Sequence, residues 1–249
     1  MSLKQSIKEI LGSIYFHLYK KYQPTVGNRV ILYHSIGSKL DHDSYGISIS
    51  EEKFKEHMKY IKENYNIISI DKNYSNVLDK NSISLTFDDG YKDNLKALDI
   101  CEKHEIPFTL YITTHEIGKE NYLSRDDILR FSNSTLCTLG AHSHTHPLLA
   151  SLSYNEQLNE LTKSKQILED IIGSKITHMS YPHGSYNEDT LKIIEELGYQ
   201  VVTSSHIGLN TTNNLNMKKI KRIEIVGSDD LKSLRKKILG YYDFLAWKE

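Results

Sequence analysis

The chain is 249 residues long, enough for one large α/β domain or two small ones. Its 31 Lys and Arg against 32 Asp and Glu leave a formal net charge of −1, which gives no electrostatic footprint for nucleic acid. Two cysteines without a C-x-x-C pair, Cys101 and Cys137, argue against a disulfide scaffold or a thiolate zinc site, and no apolar run reaches the roughly 18 residues of a membrane-spanning helix.

In chain order, residues 1–24 set Leu3, Ile7, Ile10, Leu11, Ile14, Tyr15 and Leu18 at helical spacing, with lysines on the other side, before Pro24. This amphipathic helix is expected to pack on the domain, with weak contact to a membrane surface as the alternative. It lacks the uninterrupted apolar core and small-residue cleavage site of a signal peptide, so a cytoplasmic location is expected; an exported or membrane-associated protein stripped of its leader would read the same way. Residues 25–249 show no repeat, low-complexity tract or long linker and read as one domain. Strands are predicted at 29–35, 66–70, 82–87, 107–113, 135–143, 175–182, 199–205 and 219–225, with helices at 50–65, 91–105, 153–173 and 187–198. Alternating strands and helices imply a parallel α/β sheet. About seven or eight such units suggest a closed or nearly closed barrel, with functional residues at the C-terminal ends of the strands.

Two of those strand ends carry chemistry. In "SLTFDDGYKDN" the alternation of Ile83, Leu85 and Phe87 delivers Asp88 and Asp89 to the end of a strand, and Gly90 tolerates the turn that would bring both acids to one site. Two carboxylates about 5 Å apart would repel by roughly 3 kcal/mol unless a cation, a shared proton or water offsets it. The other reading makes Asp88 the cap of a helix starting near Tyr91, with Asp89 and Asp93 at its positive end. In "AHSHTHPLL", His142 and His146 share a side whether the segment is helical or extended, and two imidazoles with one carboxylate suit a catalytic zinc with an open fourth position. A solvated histidine-rich turn before Pro147 is the alternative.

These residues resemble the polysaccharide deacetylase family, the NodB-homology fold of carbohydrate esterase family 4, over about residues 29–226. Its T-F-D-D-G motif stands as Thr86 to Gly90, and its H-[S/T]-x-x-H motif followed by Pro as His142 to Pro147. "SYPHGSYNEDT" is similar to its Pro-aromatic-Gly motif, with Pro182, His183 and Gly184. The resemblance implies a distorted, incompletely closed (β/α) barrel of about seven parallel strands. It also implies a divalent metal, zinc first with Co2+, Ni2+ or Mn2+ as alternatives, held by Asp89, His142 and His146, with Asp88 as catalytic base. The implied activity is removal of N-acetyl groups from N-acetylglucosamine-type units of a polysaccharide, oligosaccharide or lipid-linked glycan. An O-acetyl esterase, another amide hydrolase or an inactive sugar-binding relative are the alternatives.

Two assistants usual in the family are missing from their places: a late Leu-x-His and an arginine in the third motif, where Ser180 or Tyr181 stands here. One subgroup, the deacetylases of poly-N-acetylglucosamine and related exopolysaccharides, begins with a strand ending in Tyr-His, and "VILYHSIG" matches it. His34 is therefore expected as general acid, or else as a core histidine bonded to backbone. Arg222 is expected to orient Asp88, or else to be a surface cation. A backbone N–H near Tyr91 is the expected oxyanion donor, and His144, Pro182, His183 and Gly184 are expected to line the sugar site.

Overall fold

The computed structural model describes residues 3–23, 26–38, 40–41, 43–71, 73–78 and 80–248. A first helix, α1 (Leu3–Leu18), precedes β1 (Asn28–Tyr33), every residue of which is buried, as expected of a strand covered on both faces. Short β2 (Ser35–Ile36) and β3 (Ser48–Ile49) pair with each other, so the strand predicted at 29–35 breaks at His34. Then follow α2 (Glu51–Asn64), β4 (Asn66–Ile67), β5 (Ser82–Phe87), α3 (Asn94–Lys103), β6 (Phe108–Ile112), α4 (Arg125–Ser132) and β7 (Cys137–Ala141). The chain continues through α5 (Tyr154–Ile172), β8 (His178–Ser180), α6 (Glu188–Glu196), β9 (Val201–Thr203), β10 (Arg222–Glu224) and α7 (Leu231–Leu239). The predicted strand at 66–70 keeps only two residues as β4. Helices α4 and α7 escape the periodicity reading, although α6, no longer than α7, does not; their signals are the caps Ser124 and Asp230 and the left-handed Gly240.

The main sheet runs β10-β1-β5-β6-β7-β8-β9, with parallel neighbours throughout, and β4 pairs beside the start of β5. Its two edges nearly meet. Ile220 bridges to Thr203, its N–H donating to the Val202 carbonyl at 3.0 Å while Ser204 N–H donates to the Ile220 carbonyl at 2.9 Å. The seven strands therefore form the nearly closed barrel that the alternation of elements implies. Tyr33, Phe54, Phe87, Phe108 and Phe131 pack ring to ring between sheet and helices, mostly edge to face. A smaller cluster of Val30, Val201 and Ile220 meets Ile70, Tyr74 and Leu78 near the end where the strands begin, where the Tyr74 hydroxyl donates to Asn28 at 2.7 Å. The C-terminal strand ends are left to carry polar groups.

Helix α1 lies against the C-terminal segment. A Cβ on Gly12 would stand 2.7 Å from the Tyr241 carbonyl oxygen, so only glycine permits the approach. Phe16 stacks on Tyr241 with ring centroids 3.9 Å apart, and Lys236 pairs with Glu9 at 3.0 Å.

Candidate metal and catalytic site

At the end of β5 the backbone turns sharply: Asp89 has φ 76° and Gly90 φ 78°. The turn therefore falls on the second aspartate as well as on the glycine. It separates the two carboxylates: Asp88 goes to the barrel interior and Asp89 to the histidines. Among the described residues, six non-glycine positions have positive φ, and four of them, Asp89, Ser143, His146 and His183, lie on the loops of this site. Each such conformation costs about 1–3 kcal/mol and persists only where the surroundings enforce it.

The loop after β7 is neither helix nor strand. Left-handed turns at Ser143 and His146 bring His142 and His146 together, with the His146 N–H donating to Ser143 Oγ at 3.0 Å. Glu160 on α5 accepts from the backbone N–H groups of His144 and Thr145 at 2.9 and 2.8 Å, and from the Thr145 hydroxyl at 2.8 Å. The His142 Nδ1 donates to the Ser180 carbonyl at 2.8 Å, which puts its hydrogen there and leaves the Nε2 lone pair free. Burial, the largest effect, pushes the His142 pKa down to about 4; His146 adds to the fall while Asp88 and Asp89 oppose it. The ring is neutral at physiological pH, as a metal ligand must be.

The donor atoms of Asp89, His142 and His146 all lie within 4.8 Å of one another, a group that could hold a metal ion. His146 Nε2 is 3.2 Å from His142 Nε2, and Asp89 Oδ1 is 3.4 and 3.5 Å from the two nitrogens. Ligands bound tetrahedrally to zinc at about 2.0–2.2 Å stand roughly 3.3 Å apart, so the three donors already have the spacing of one tetrahedral face. Asp89 Oδ1 is buried and has no hydrogen-bond partner, a costly state for a carboxylate oxygen that a cation would relieve.

Asp88 is differently placed. Arg222 Nη1 and Nη2 donate to its two oxygens, both at 2.7 Å, and the Ser180 hydroxyl donates to Oδ2 at 3.2 Å. Arg222 is fixed in turn: Nη2 donates to Ser180 Oγ at 2.7 Å and Nε to the Ser204 carbonyl at 2.9 Å. Burial alone would raise the Asp88 pKa, but the Arg222 charge, joined by His142, outweighs it and holds the carboxyl well below the usual range. Asp88 stays ionised, with Oδ2 3.6 Å from His142 Nε2. This engagement leaves no room for the helix-capping reading; α3 begins at Asn94, and Asp93 accepts instead from the Ser35 hydroxyl at 2.6 Å and the Ser38 N–H at 3.0 Å.

A cleft of about 890 Å³ opens over these groups. It is lined by His34, Asp88, Asp89, Tyr91, His142, His146, His183, Arg222 and Glu224, with Tyr45, Tyr122 and Tyr242 further out. His34 Nδ1 lies 3.7 Å from Glu224 Oε1. The His183 ring meets the His146 ring edge to face at 4.4 Å, and the Tyr91 ring stacks on Tyr122 at 5.0 Å. Pro182 is buried beneath this loop and Gly184 abuts Ser205. His144 turns away: its Nδ1 bonds the Thr114 hydroxyl at 2.9 Å, its ring meets His115, and it is not among the residues lining the cleft.

Ser180, Glu224 and Glu160 carry roles that the sequence reading does not assign. The small Ser180 leaves space for the Arg222 guanidinium arriving from β10. Glu224 could have been found, since it lies two residues after Arg222 on the same strand. Glu160 leaves a fainter sign, an acid on the buried stripe of α5 that also includes Gln157, Leu161, Ser164 and Leu168.

The model of the polysaccharide deacetylase family matches residues 75–202. The chain is 27% identical over 186 residues to the Bacillus subtilis protein YxkH, covering 72% of this chain and 64% of YxkH, less than two thirds of that relative's length. It is 26% identical over 216 residues to the poly-beta-1,6-N-acetyl-D-glucosamine N-deacetylase of Staphylococcus aureus, covering 79% of this chain and 73% of the relative. Among solved structures, the polysaccharide deacetylase BC0361 from Bacillus cereus superimposes with a TM-score of 0.76 at 24% identity, over 85% of this chain and 69% of that one. At that identity the likeness is one of fold.

Proposed function

The chain belongs to the polysaccharide deacetylase family, and from that premise we propose that it is a metal-dependent hydrolase removing N-acetyl groups from N-acetylglucosamine-type sugars. One observation carries the reading: an ionised carboxylate, Asp88, is clamped by Arg222 and Ser180 beside a separate three-donor cluster of Asp89, His142 and His146. A binding module has no use for a fixed base next to a cation site. A divalent cation in that cluster, zinc first, supplies Lewis acidity toward an amide carbonyl and a water.

Asp88 takes the proton from the attacking water, and the Arg222 fork keeps it ionised and aimed during the transfer. The backbone N–H of Tyr91, just past the left-handed turn and on the cleft wall, is the donor for the developing oxyanion. His34, on the opposite wall at the end of β1, protonates the departing amine, with Glu224 beside its Nδ1 to orient the ring. His183 and the neighbouring Gly184 loop bound the sugar side. The staphylococcal relative makes β-1,6-linked N-acetylglucosamine oligomers the first substrate to try.

The test is acetate release from such oligomers by chelator-stripped protein before and after reloading with Zn2+ or Co2+. Release should stop on stripping and return on reloading. Release that survives exhaustive stripping removes the metal from the mechanism, and metal-loaded protein that binds glycan without releasing acetate leaves only a sugar-binding role. Asp89→Asn and His142→Ala should lose the metal, while His34→Ala should keep it and lose kcat on the amide.

A further inference from the structure

Helix α1 has two apolar faces and the fold uses one of them. Gly12 and Phe16 meet Tyr241, and Glu9 meets Lys236. On the other face Ile7, Ile10, Leu11, Ile14 and Leu18 recur with the spacing of a single helical stripe, and they are 47, 60, 48, 51 and 75% exposed. Scattered apolar residues on a surface need no explanation, but five aliphatic side chains in line on one helix do.

The charges around the stripe indicate what covers it. The one acid of residues 7–23, Glu9, is neutralised by Lys236 at 3.0 Å, and Lys20 is taken up by Asp243 at 3.1 Å, which leaves Lys8 and Lys21 as the cations beside the stripe. Lys8 and Lys21 are exposed, and Tyr22, 72% exposed, extends the apolar strip beyond the helix. An aliphatic stripe fringed by cations complements an anionic bilayer, where the stripe enters the headgroup boundary and the ammonium groups meet lipid phosphates. Across a symmetric contact between two copies the same fringe would repel itself.

We infer that α1 seats the protein on an anionic lipid surface through Ile7, Ile10, Leu11, Ile14 and Leu18. Lys8 of this helix also lines the candidate cleft, together with Tyr242 and Leu245. The seat therefore adjoins the mouth of the site. Resting on the deacetylase reading, it presents the catalytic groups to glycan held at a membrane rather than free in solution.

Co-sedimentation with phosphatidylcholine vesicles, with and without phosphatidylglycerol, tests the seat. The full chain should partition onto the anionic vesicles, less so as salt rises, and the Ile10→Glu/Ile14→Glu variant should bind about tenfold more weakly or worse with an unchanged melting temperature. Equal partitioning of the two proteins, or none onto anionic vesicles at low salt, overturns the inference. So does a dimer in sedimentation velocity that the variant dissolves, since that assigns the stripe to a second copy. Acetate release from a soluble oligosaccharide should be the same for both proteins. If neither releases acetate while vesicle binding still distinguishes them, the deacetylase reading fails and the lipid seat stands.

Discussion

Arg222 on β10 and Arg29 on β1 each hold an aspartate in a buried two-pronged pair, and they lie at nearly the same level of the barrel, since Val30 faces Arg222 in register. They differ in the side of the sheet they serve. Arg222 reaches across the interior to groups on β5 and β8 and just past β9, leaving Asp88 with one side toward the cleft. Arg29 meets Asp243 in the C-terminal segment at 2.8 and 3.0 Å, and Lys20 closes that pair from a third direction at 3.1 Å. The same fork and carboxylate thus, on the proposed reading, aim a base when one side is left open, and fasten the segment around Asp243 to β1 when Lys20 closes the remaining side. Neither is evidence of extra stability, because burying two charges costs about what their attraction returns.

The contrast breaks most visibly at Asp88. Asp88→Asn should keep the metal, measured by elemental analysis, and lose about a thousandfold in kcat, in the range that a positioned base contributes. Loss of the ion in Asp88→Asn, with retention in Asp89→Asn, would exchange the roles of the two acids. Next come the arginines. Arg222→Met should lose about 3–5 kcal/mol of stability by denaturant titration, since it leaves the buried Asp88 carboxylate without its cation, and Arg29→Met should lose less, since Lys20 still pairs with Asp243 at 3.1 Å. At a temperature where both remain folded, only Arg222→Met should lose turnover, by about a hundredfold. The acid limb of its pH profile should also move upward, because the charge that lowers the Asp88 pKa is gone. Equal kcat in the two variants would end the distinction.

Acid sharpens the comparison further. Burial pushes His142 at the catalytic end, and His57 beneath Tyr33, down to about 4 from an ordinary 6.5. The unfolded chain then takes up protons that the folded chain refuses. This cost is absent above about 6.5, grows as the pH falls and is complete below about 4, reaching about 3 kcal/mol for each ring. In metal-free protein the melting temperature should fall between pH 7 and 4.5, and His57→Gln should recover part of the drop, since burial lowers His144, His178 and His183 as well; a flat profile would contradict the burial argument. The smallest effect belongs to Ser180→Ala, which removes one hydroxyl bridging Arg222 and Asp88. It should cost about 1 kcal/mol, read as a few-fold loss in kcat/KM with metal content unchanged.

Much of the barrel was legible from strands such as β1, an apolar run, and β5, an alternation of Ile83, Leu85 and Phe87 with Ser and Thr, although both turn out to be buried on both faces. The acids after β5 and the histidines after β7 were legible as types and spacings. The path that joins them was not, since left-handed turns at Asp89, Ser143 and His146 leave no hydrophobic signature. Arg222 could be suspected only by noticing that an arginine was missing elsewhere, and nothing in a one-dimensional pattern says that Ser180 makes room for it. For α1 the aliphatic stripe was plain, yet the face that packs is marked by Gly12, a residue that adds nothing to a hydrophobicity pattern. His144 shows the opposite failure: it sits between two cleft histidines in the sequence and bonds Thr114 instead.

The order in which these groups occur along the chain has a consequence for synthesis. Asp88, Asp89, His142 and His146 have all been translated 76 residues before Arg222 is added. A nascent polypeptide thus holds all three residues of the candidate ion cluster while Asp88 has no guanidinium to steady it. On the proposed reading, competence for turnover requires the last barrel strand to be laid against the first, after all three donors for the ion are already in the chain.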